Sequence, residues 1–212
     1  MGDYDGSGPG GRRPGPGRTD PAGSPRDAAI HWARDVTSDR ATLYLDTETT
    51  GIGKGAEIIE ISIINGDGAV LLDTLVRPVG AIDPGAQRVH GIGIEHLHDA
   101  PAWPPVHDTL CQLIRGQRVV VYNAAFDKGL VDQCGRRHGL TTPVSDWHCA
   151  MLKYAALKQQ PGRYPGQYRW HKLEHAAASF GTSPGGHRAL SDARACRVVV
   201  LGMAHTPTDS EQ

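Results

Sequence analysis

The hydrophobic and polar positions of this 212-residue chain divide it into short apolar runs separated by polar turns. Three apolar runs predict strands early in the chain, at residues 41–46, 56–65 and 69–77. The turn sequence NGDG at residues 65–68 predicts a hairpin between the second and third runs. We therefore expect the first three strands to form an antiparallel meander.

Strand character ends at Pro78, and helical patterns then alternate with two further apolar runs that predict strands at 118–122 and 144–147. A meander followed by such an alternation is typical of a mixed, three-layer α/β domain, here with a five-stranded sheet. The predicted helices span residues 27–34, 103–115, 123–138, 148–158, 172–180 and 189–204.

Both ends of the chain are predicted to lie outside the folded domain. Residues 1–26 contain eight glycines and five prolines and have little apolar surface to bury, so we expect a disordered tail. The folded domain is then expected to span residues 27–205, with a short C-terminal tail at 206–212.

Composition excludes several classes of protein. No apolar run is long enough to span a membrane, and the N-terminus lacks the apolar core of a signal peptide, so the expectation is a cytoplasmic protein with no membrane partner. The four cysteines are far apart and predict free thiols rather than a zinc site. A formal net charge of −1 gives no global basic field, although bound metal ions can supply positive charge locally.

The most informative polar segment directly follows the first predicted strand. Asp46 and Glu48 are two residues apart, so in extended backbone both side chains point to the same face. Two carboxylates held so close repel each other unless a cation neutralises them. Divalent cations such as Mg²⁺ prefer oxygen ligands, so a metal site is one interpretation of this pair. The alternative is an acidic strand end that is partly solvated and binds no metal.

Two more polar clusters stand at the ends of predicted elements. Asn123 and Asp127 follow the fourth predicted strand, where Asn123 either caps the next helix or contacts substrate. His187 precedes the last predicted helix, and Asp192 lies near its start. Viewed separately, each cluster has a simpler explanation. Asp127 can be a carboxylate that stabilises the first turn of its helix, and His187 and Asp192 can be an ordinary surface pair.

Taken together, the clusters provide four carboxylates and one histidine at element ends that can converge. This combination suits two-metal phosphodiester hydrolysis, in which two cations clamp the attacking and leaving oxygens. Several carboxylates offset the cation charge, and a group with a near-neutral pKa accepts the proton of the attacking water.

These motifs resemble those of the DEDDh 3′–5′ exonucleases, which have the ribonuclease H-like fold. The matching segments are DTETTG at 46–51, NAAFD at 123–127 and HRALSDA at 187–193, and the resemblance covers about residues 40–205. It implies that four carboxylates bind two Mg²⁺ or Mn²⁺ ions and that His187 is the general base. The implied metal ligands are Asp46, Glu48, Asp127 and Asp192. One departure is Tyr122, where relatives often have histidine.

The resemblance also implies contacts for a 3′-terminal nucleotide at Thr49, Gly51, Ile52, His90 and Asn123. For Ile52, wedging against the terminal base and ordinary packing both stay open. In the loop RYPGQYRW at 163–170, Trp170 is expected in the core, whereas Tyr164, Tyr168 and Arg169 are candidates for strand contact.

The predicted activity is hydrolysis of single-stranded nucleic acid from the 3′ end, with release of nucleoside 5′-monophosphates. DNA is the favoured substrate because DTETTG resembles the motif of the proofreading type. An RNA-trimming exonuclease is the alternative, and a non-catalytic nucleic-acid-binding module is a third interpretation. The family resemblance also allows a DNA polymerase as a partner and a homodimer as the assembly, and the sequence decides neither.

Overall fold

A computed structural model of the protein describes residues 23–183 and 186–212. Its sheet has five strands in the order β3-β2-β1-β4-β5. β2 pairs with β1 and β3 in antiparallel fashion, whereas β4 pairs with β1 and β5 in parallel. The predicted meander and mixed sheet are therefore confirmed. The strands are β1 (Leu43–Thr49), β2 (Ile58–Asn65), β3 (Val70–Leu75), β4 (Arg118–Val121) and β5 (Asp146–Cys149).

Helices cover both faces of this sheet and give the expected three layers. One core lies between the sheet and α1, α5, α6 and α7, and the other lies between the sheet and α3 and α4. The helices are α1 (Pro25–Ser38), α2 (Pro84–His90), α3 (Trp103–Ile114), α4 (Ala124–Arg137), α5 (Ala150–Lys158), α6 (Leu173–Ala178) and α7 (Ala189–Ala204).

The alternation of side chains along β1 decides which layer each residue meets. Leu43 and Leu45 pack into the core on the α3 and α4 side, whereas Tyr44 packs into the core that contains α7. The parallel pairing with β4 aligns Leu43 with Val119 and Tyr44 with Val120, near the start of β1. The end of β1 therefore projects past β4 and leaves room there for polar side chains.

The structure extends the folded domain beyond both of its predicted boundaries, residues 27 and 205. α1 begins at Pro25 because Ser24 caps it, so the last two residues of the expected 1–26 tail are helical; residues 1–22 of that tail lie outside the described residues. The segment after residue 205 packs against α1, since Arg26 forms a 2.7 Å ion pair with Asp209. This segment ends in a 3₁₀ turn at Asp209–Glu211 rather than as a free tail.

Sequence patterning missed α2. The helix has seven residues, too few for an apolar period to emerge, but its end signals are present. The Asp83 carboxylate accepts hydrogen bonds from the backbone N–H groups of Gly85 and Ala86, and Pro84 occupies the first turn. Gly91 ends the helix in the left-handed region, with φ at 71°.

Two expectations about individual side chains have opposite outcomes. All four cysteines are free thiols, as expected. The expectation that Trp170 belongs to the core is wrong, because 64% of its surface is exposed. None of the helices within residues 23–183 and 186–212 combines the length and apolar character needed to cross a membrane.

A buried carboxylate fixes the loop that leads into α2. Glu57 accepts hydrogen bonds from the backbone N–H groups of Val79 (3.0 Å) and Gly80 (2.7 Å), and it pairs with Arg137 at 2.6 Å. Burial alone would raise the pKa of Glu57, but these hydrogen bonds favour the ionised form and lower its pKa overall.

Replacing Glu57 by alanine should lower the free energy of unfolding by about 1–3 kcal/mol, because two backbone N–H groups lose their acceptor. Arg137→Ala is the control, and it should lower the free energy of unfolding less than Glu57→Ala does, because the guanidinium is partly exposed and Glu57 retains both N–H donors. Urea titration of the three proteins measures the difference, and equal losses in the two variants would contradict this account.

Candidate active site

Three carboxylates from two distant segments meet at the open end of β1. One oxygen from each of Asp46, Glu48 and Asp192 lies within 4.8 Å of the other two. The alternation along β1 directs Asp46 and Glu48 toward the helix layer that contains α7, and Asp192 lies in the first turn of that helix. The predicted convergence of the first and third motifs is therefore present.

Asp127 reaches the same place from the opposite helix layer. It lies in the first turn of α4 and is buried, and it accepts a 2.9 Å hydrogen bond from the hydroxyl of Thr47. Thr47 stands between Asp46 and Glu48 but points to the other face of β1. It was not predicted as a site residue, although its position within the first motif gives it this role.

The pKa values of these groups show how strongly they interact. Burial, followed by the charges of Asp127, Asp192 and Glu48, raises the pKa of Asp46 well above its usual value. Burial and the charge of Asp192 raise the pKa of Glu48 to about 8. Burial raises the pKa of Asp127 to about 7 and that of Asp192 to about 6. Without a neutralising cation, these charges oppose one another.

A fifth carboxylate, Glu60 on β2, holds the start of α7 in place. It is directly opposite Glu48 in the β1–β2 ladder and only 4% exposed. Its oxygens accept hydrogen bonds from the Arg188 guanidinium at 3.0 and 3.1 Å and from the Ala189 N–H at 2.9 Å. Sequence reasoning assigned no role to this pair. A signal was present in the sequence, because Glu60 is an acidic side chain within a run of isoleucines.

His187 is exposed and directly precedes Arg188 and Ala189, which Glu60 holds in place. Its φ of 50° places it in the left-handed region, which residues with a Cβ rarely adopt. Strained backbone of this kind persists where the surrounding structure imposes it, often at functional sites. The proximity of His187 is visible in the pKa of Asp192, which burial raises and the His187 charge partly lowers.

A cavity of about 900 Å³ opens beside Glu48. Of the predicted nucleotide contacts, Thr49, Gly51, Ile52 and His90 line it, and so does Phe126. Ile52 is 90% exposed, so ordinary core packing does not explain it. The missed helix α2 forms one wall of this cavity through Asp83, Pro84, Gly85, Ala86, Val89 and His90.

Two predicted contact residues are constrained by their hydrogen bonds. The N–H of Ile92 donates to Nδ1 of His90, so Nε2 bears the proton and donates to the Thr49 carbonyl at 3.2 Å. Both ring nitrogens are thus engaged, and burial lowers the pKa of His90. Asn123 occupies the N-cap of α4, but its side chain makes no capping bond, so the capping alternative fails.

The arrangement fits divalent cations. Within the part of the chain that the structure describes, Oδ1 of Asp192 is buried without a hydrogen-bond partner. A buried carboxylate oxygen normally has a partner, and a cation between Asp46, Glu48 and Asp192 would provide it. Asp127 is close enough to Asp46 for its charge to raise the pKa of Asp46, so it adjoins the same space.

Comparison with known proteins decides the family. Residues 43–199 match the RNase_T family, which is described as exonuclease. The chain belongs to the RNase_T exonuclease family. With Asp46, Glu48, Asp127, His187 and Asp192 in the expected motifs, it falls among the DEDDh 3′–5′ exonucleases, whose members use divalent metal ions. The chain is therefore an exonuclease of DEDDh type.

Two relatives are similar over most of this chain. The uncharacterized exonuclease CP81 of Escherichia phage 186 is 39% identical over 184 residues, which cover 83% of this chain and 92% of the phage protein. DNA polymerase III subunit epsilon of Escherichia coli K12 is 30% identical over 174 residues, which cover 76% of this chain and 70% of that subunit.

Solved structures share the ribonuclease H-like fold predicted from the motifs. The nuclease domain of 3'hExo, a DEDDh family member bound to rAMP, superposes with a TM-score of 0.60 at 16% identity and covers 76% of this chain and 90% of that domain. Exonuclease X in complex with 5′ overhanging duplex DNA gives a TM-score of 0.53 at 25% identity. The superposition covers 80% of this chain and 96% of that chain.

Charge repulsion in the site predicts a pH-dependent stability. The pKa of Glu48 rises from 4.5 to about 8 on folding, so its contribution to stability is complete below pH 4.5 and is lost as pH rises through 8. In EDTA, the melting temperature of the wild type should therefore fall more between pH 5 and 8 than that of Glu48→Gln. At pH 8, excess Mg²⁺ or Mn²⁺ should raise the wild-type value more than that of the variant.

Glu95→Gln, which removes an exposed carboxylate, is the matched control and should behave as wild type. Thermal unfolding in EDTA and in excess cation gives both comparisons. A melting temperature of the wild type that does not respond to either cation would exclude this cluster as the metal site.

Proposed function

We propose that this protein is a metal-dependent 3′–5′ exonuclease that removes nucleoside 5′-monophosphates from the 3′ end of single-stranded nucleic acid, with DNA favoured over RNA. The observation that supports it most strongly is the gathering of Asp46, Glu48 and Asp192 within 4.8 Å, with Asp127 beside them. The proposed cofactors are two Mg²⁺ or Mn²⁺ ions held by these four carboxylates. When bound, such ions supply positive charge beside the attacking and leaving oxygens of a phosphodiester.

In this proposal His187 is the general base. Its imidazole accepts the proton of the water that attacks phosphorus. The bond from phosphorus to the 3′ oxygen of the preceding nucleotide breaks, and that oxygen takes a proton from solvent water to become the new 3′-hydroxyl. Its exposed position next to Asp192 gives water access to the ring. The pair of Arg188 and Glu60 holds the adjoining backbone, so the ring starts from a restrained position.

The cavity beside Glu48 receives the terminal nucleotide. Its volume of about 900 Å³ and its mainly apolar lining suit a base and sugar. Ile52 at its exposed edge wedges against the terminal base, and Phe126 offers a ring for stacking. The Asn123 amide supplies hydrogen bonds, whereas His90 contacts the nucleotide through ring carbons because both of its nitrogens are engaged.

A nuclease assay tests this function and the choice between DNA and RNA. Matched 5′-labelled single-stranded DNA, single-stranded RNA and duplex DNA are incubated with Mg²⁺, and the products are resolved by size. We expect a ladder that shortens from the 3′ end, faster with DNA than with RNA, and no ladder with Asp46→Ala. Faster degradation of RNA would favour the RNA-trimming alternative, and persistent activity in Asp46→Ala would refute the metal role of Asp46.

The general-base assignment has its own test. His187→Ala should lower kcat by about 100- to 10,000-fold while KM changes by less than about threefold, because the lost group acts in the chemical step. His138→Ala is the control, since His138 lies at the C-terminal end of α4, far from Asp127. A parallel rise in KM, or loss of oligonucleotide binding by His187→Ala, would assign the residue to binding instead.

The partner predictions stay open alongside this proposal. Relatedness to DNA polymerase III subunit epsilon keeps a DNA polymerase as a candidate partner, and a homodimer stays a prediction.

A further inference from the structure

A hairpin at residues 160–169 stands apart from the nucleotide cavity. Its backbone is held by hydrogen bonds from Gly162 N–H to Gln167 O (2.8 Å) and from Arg169 N–H to Gln160 O (2.9 Å). A Cβ at residue 162 would lie 2.9 Å from the Gln167 carbonyl oxygen, so the close approach of the two hairpin arms requires glycine there. No residue of this hairpin lines the cavity beside Glu48.

The residues after the hairpin are anchored to the end of β4. The hydroxyl of Tyr122 donates a 2.7 Å hydrogen bond to the His171 carbonyl, and the His171 ring packs edge-on against Tyr154 at 5.3 Å. Tyr122 is the position at which this chain departs from the family motif. Its hydroxyl therefore fixes the segment around residue 171 at the end of β4, on the side of the sheet that α5, α6 and α7 cover.

This anchoring leaves Trp170 facing outward. His171 is turned inward to Tyr154, and the preceding residue, Trp170, is 64% exposed. A large aromatic side chain held at the surface by an ordered backbone is a suitable platform for stacking a base. Arg169 beside it is also exposed.

The same region has a local excess of positive charge. Residues 160–174 contain three exposed cations and one acid, in a chain whose formal net charge is −1. Phosphate backbone is attracted to exposed cations. The three cations are Arg163, Arg169 and Lys172, and the acid is Glu174.

The helix that follows Trp170 packs against the helix that contains Asp192. α6 begins at Leu173, shortly after Trp170, and α7 has Asp192 in its first turn. A strand whose last nucleotide fills the cavity beside Glu48 can therefore extend from the carboxylates onto the surface around Trp170.

We propose that Trp170 stacks a base of the strand upstream of the scissile phosphate, while Arg169 contacts the adjoining phosphates. This inference rests on the proposed function, since it extends the same substrate path away from the terminal nucleotide. The contact is independent of sequence because every base offers a π face. The contact strengthens the binding of substrates that have upstream nucleotides and contributes nothing to the binding of substrates that lack them.

Two substrates separate this contact from the catalytic centre. One is a decamer of deoxythymidylate, and the other is the p-nitrophenyl ester of thymidine 5′-monophosphate, which has no upstream nucleotide. Trp170→Ala should lower kcat/KM for the decamer by about 5- to 100-fold, mainly through KM, and change that for the ester by less than twofold. Trp170→Phe should retain most of the decamer activity because it keeps an aromatic face.

Binding of a labelled decamer in EDTA, followed by fluorescence anisotropy, supplies a readout that needs no turnover. Trp170→Ala should weaken binding at least fivefold, and Arg169→Gln should reduce its salt dependence. Val144→Ala is the control, since Val144 is 92% exposed on the loop before β5, near the opposite end of β4.

The outcomes distinguish this inference from the proposed function. Unchanged decamer binding and kcat/KM in Trp170→Ala would overturn the stacking contact, and so would equal losses with decamer and ester. If the wild type binds the decamer through Trp170 but hydrolyses neither substrate with Mg²⁺ or Mn²⁺, the contact stands and the proposed exonuclease activity fails.

Discussion

Repulsion among the carboxylates at the end of β1 is the interaction that the scaffold has to overcome. One oxygen from each of Asp46, Glu48 and Asp192 lies within 4.8 Å of the other two, and partial burial reduces the water that would screen their charges. Charged groups in such a position shift their pKa values upward or bind cations. The fold thus maintains an arrangement that is unfavourable by itself and that becomes favourable with bound metal ions.

Different parts of the fold hold these groups in place. Thr47 uses the opposite face of the same strand to fix Asp127, so one strand positions acids from both helix layers. Glu60 binds Arg188 and the first N–H of α7, and this contact brings Asp192 and His187 to the strand end. Arg188 thereby neutralises the one carboxylate that lies directly opposite Glu48. The pair of Glu60 and Arg188 therefore both positions the start of α7 and balances charge beside Glu48.

Two surfaces of different character result from this fold. An apolar cavity walled by α2 opens beside Glu48, and the segment before α6 has exposed cations and the exposed Trp170. An apolar cavity suits the base and sugar of a terminal nucleotide, whereas a basic surface with an aromatic ring suits a flexible strand. A chain with a formal net charge of −1 can therefore still have a locally basic surface.

The places of the carboxylates within strands and helices were predictable from the sequence because they depend on local patterns. The same-face placement of Asp46 and Glu48 follows from strand periodicity, and the place of Asp192 in a first helical turn follows from the last apolar helix pattern. The meander and the alternating helices followed from apolar runs and turn signals in the same way. Even the missed helix α2 had local end signals at Asp83 and Gly91.

Tertiary structure alone decided which distant groups meet. The contacts of Thr47 with Asp127, of Glu60 with Arg188 and of Tyr122 with His171 join residues 49–128 positions apart. Whether Trp170 is buried or exposed likewise depends on those anchors, because an aromatic residue has the same apolar character in either place. Local periodicity specifies the face on which a side chain lies, but only the packing of whole layers specifies what stands opposite it.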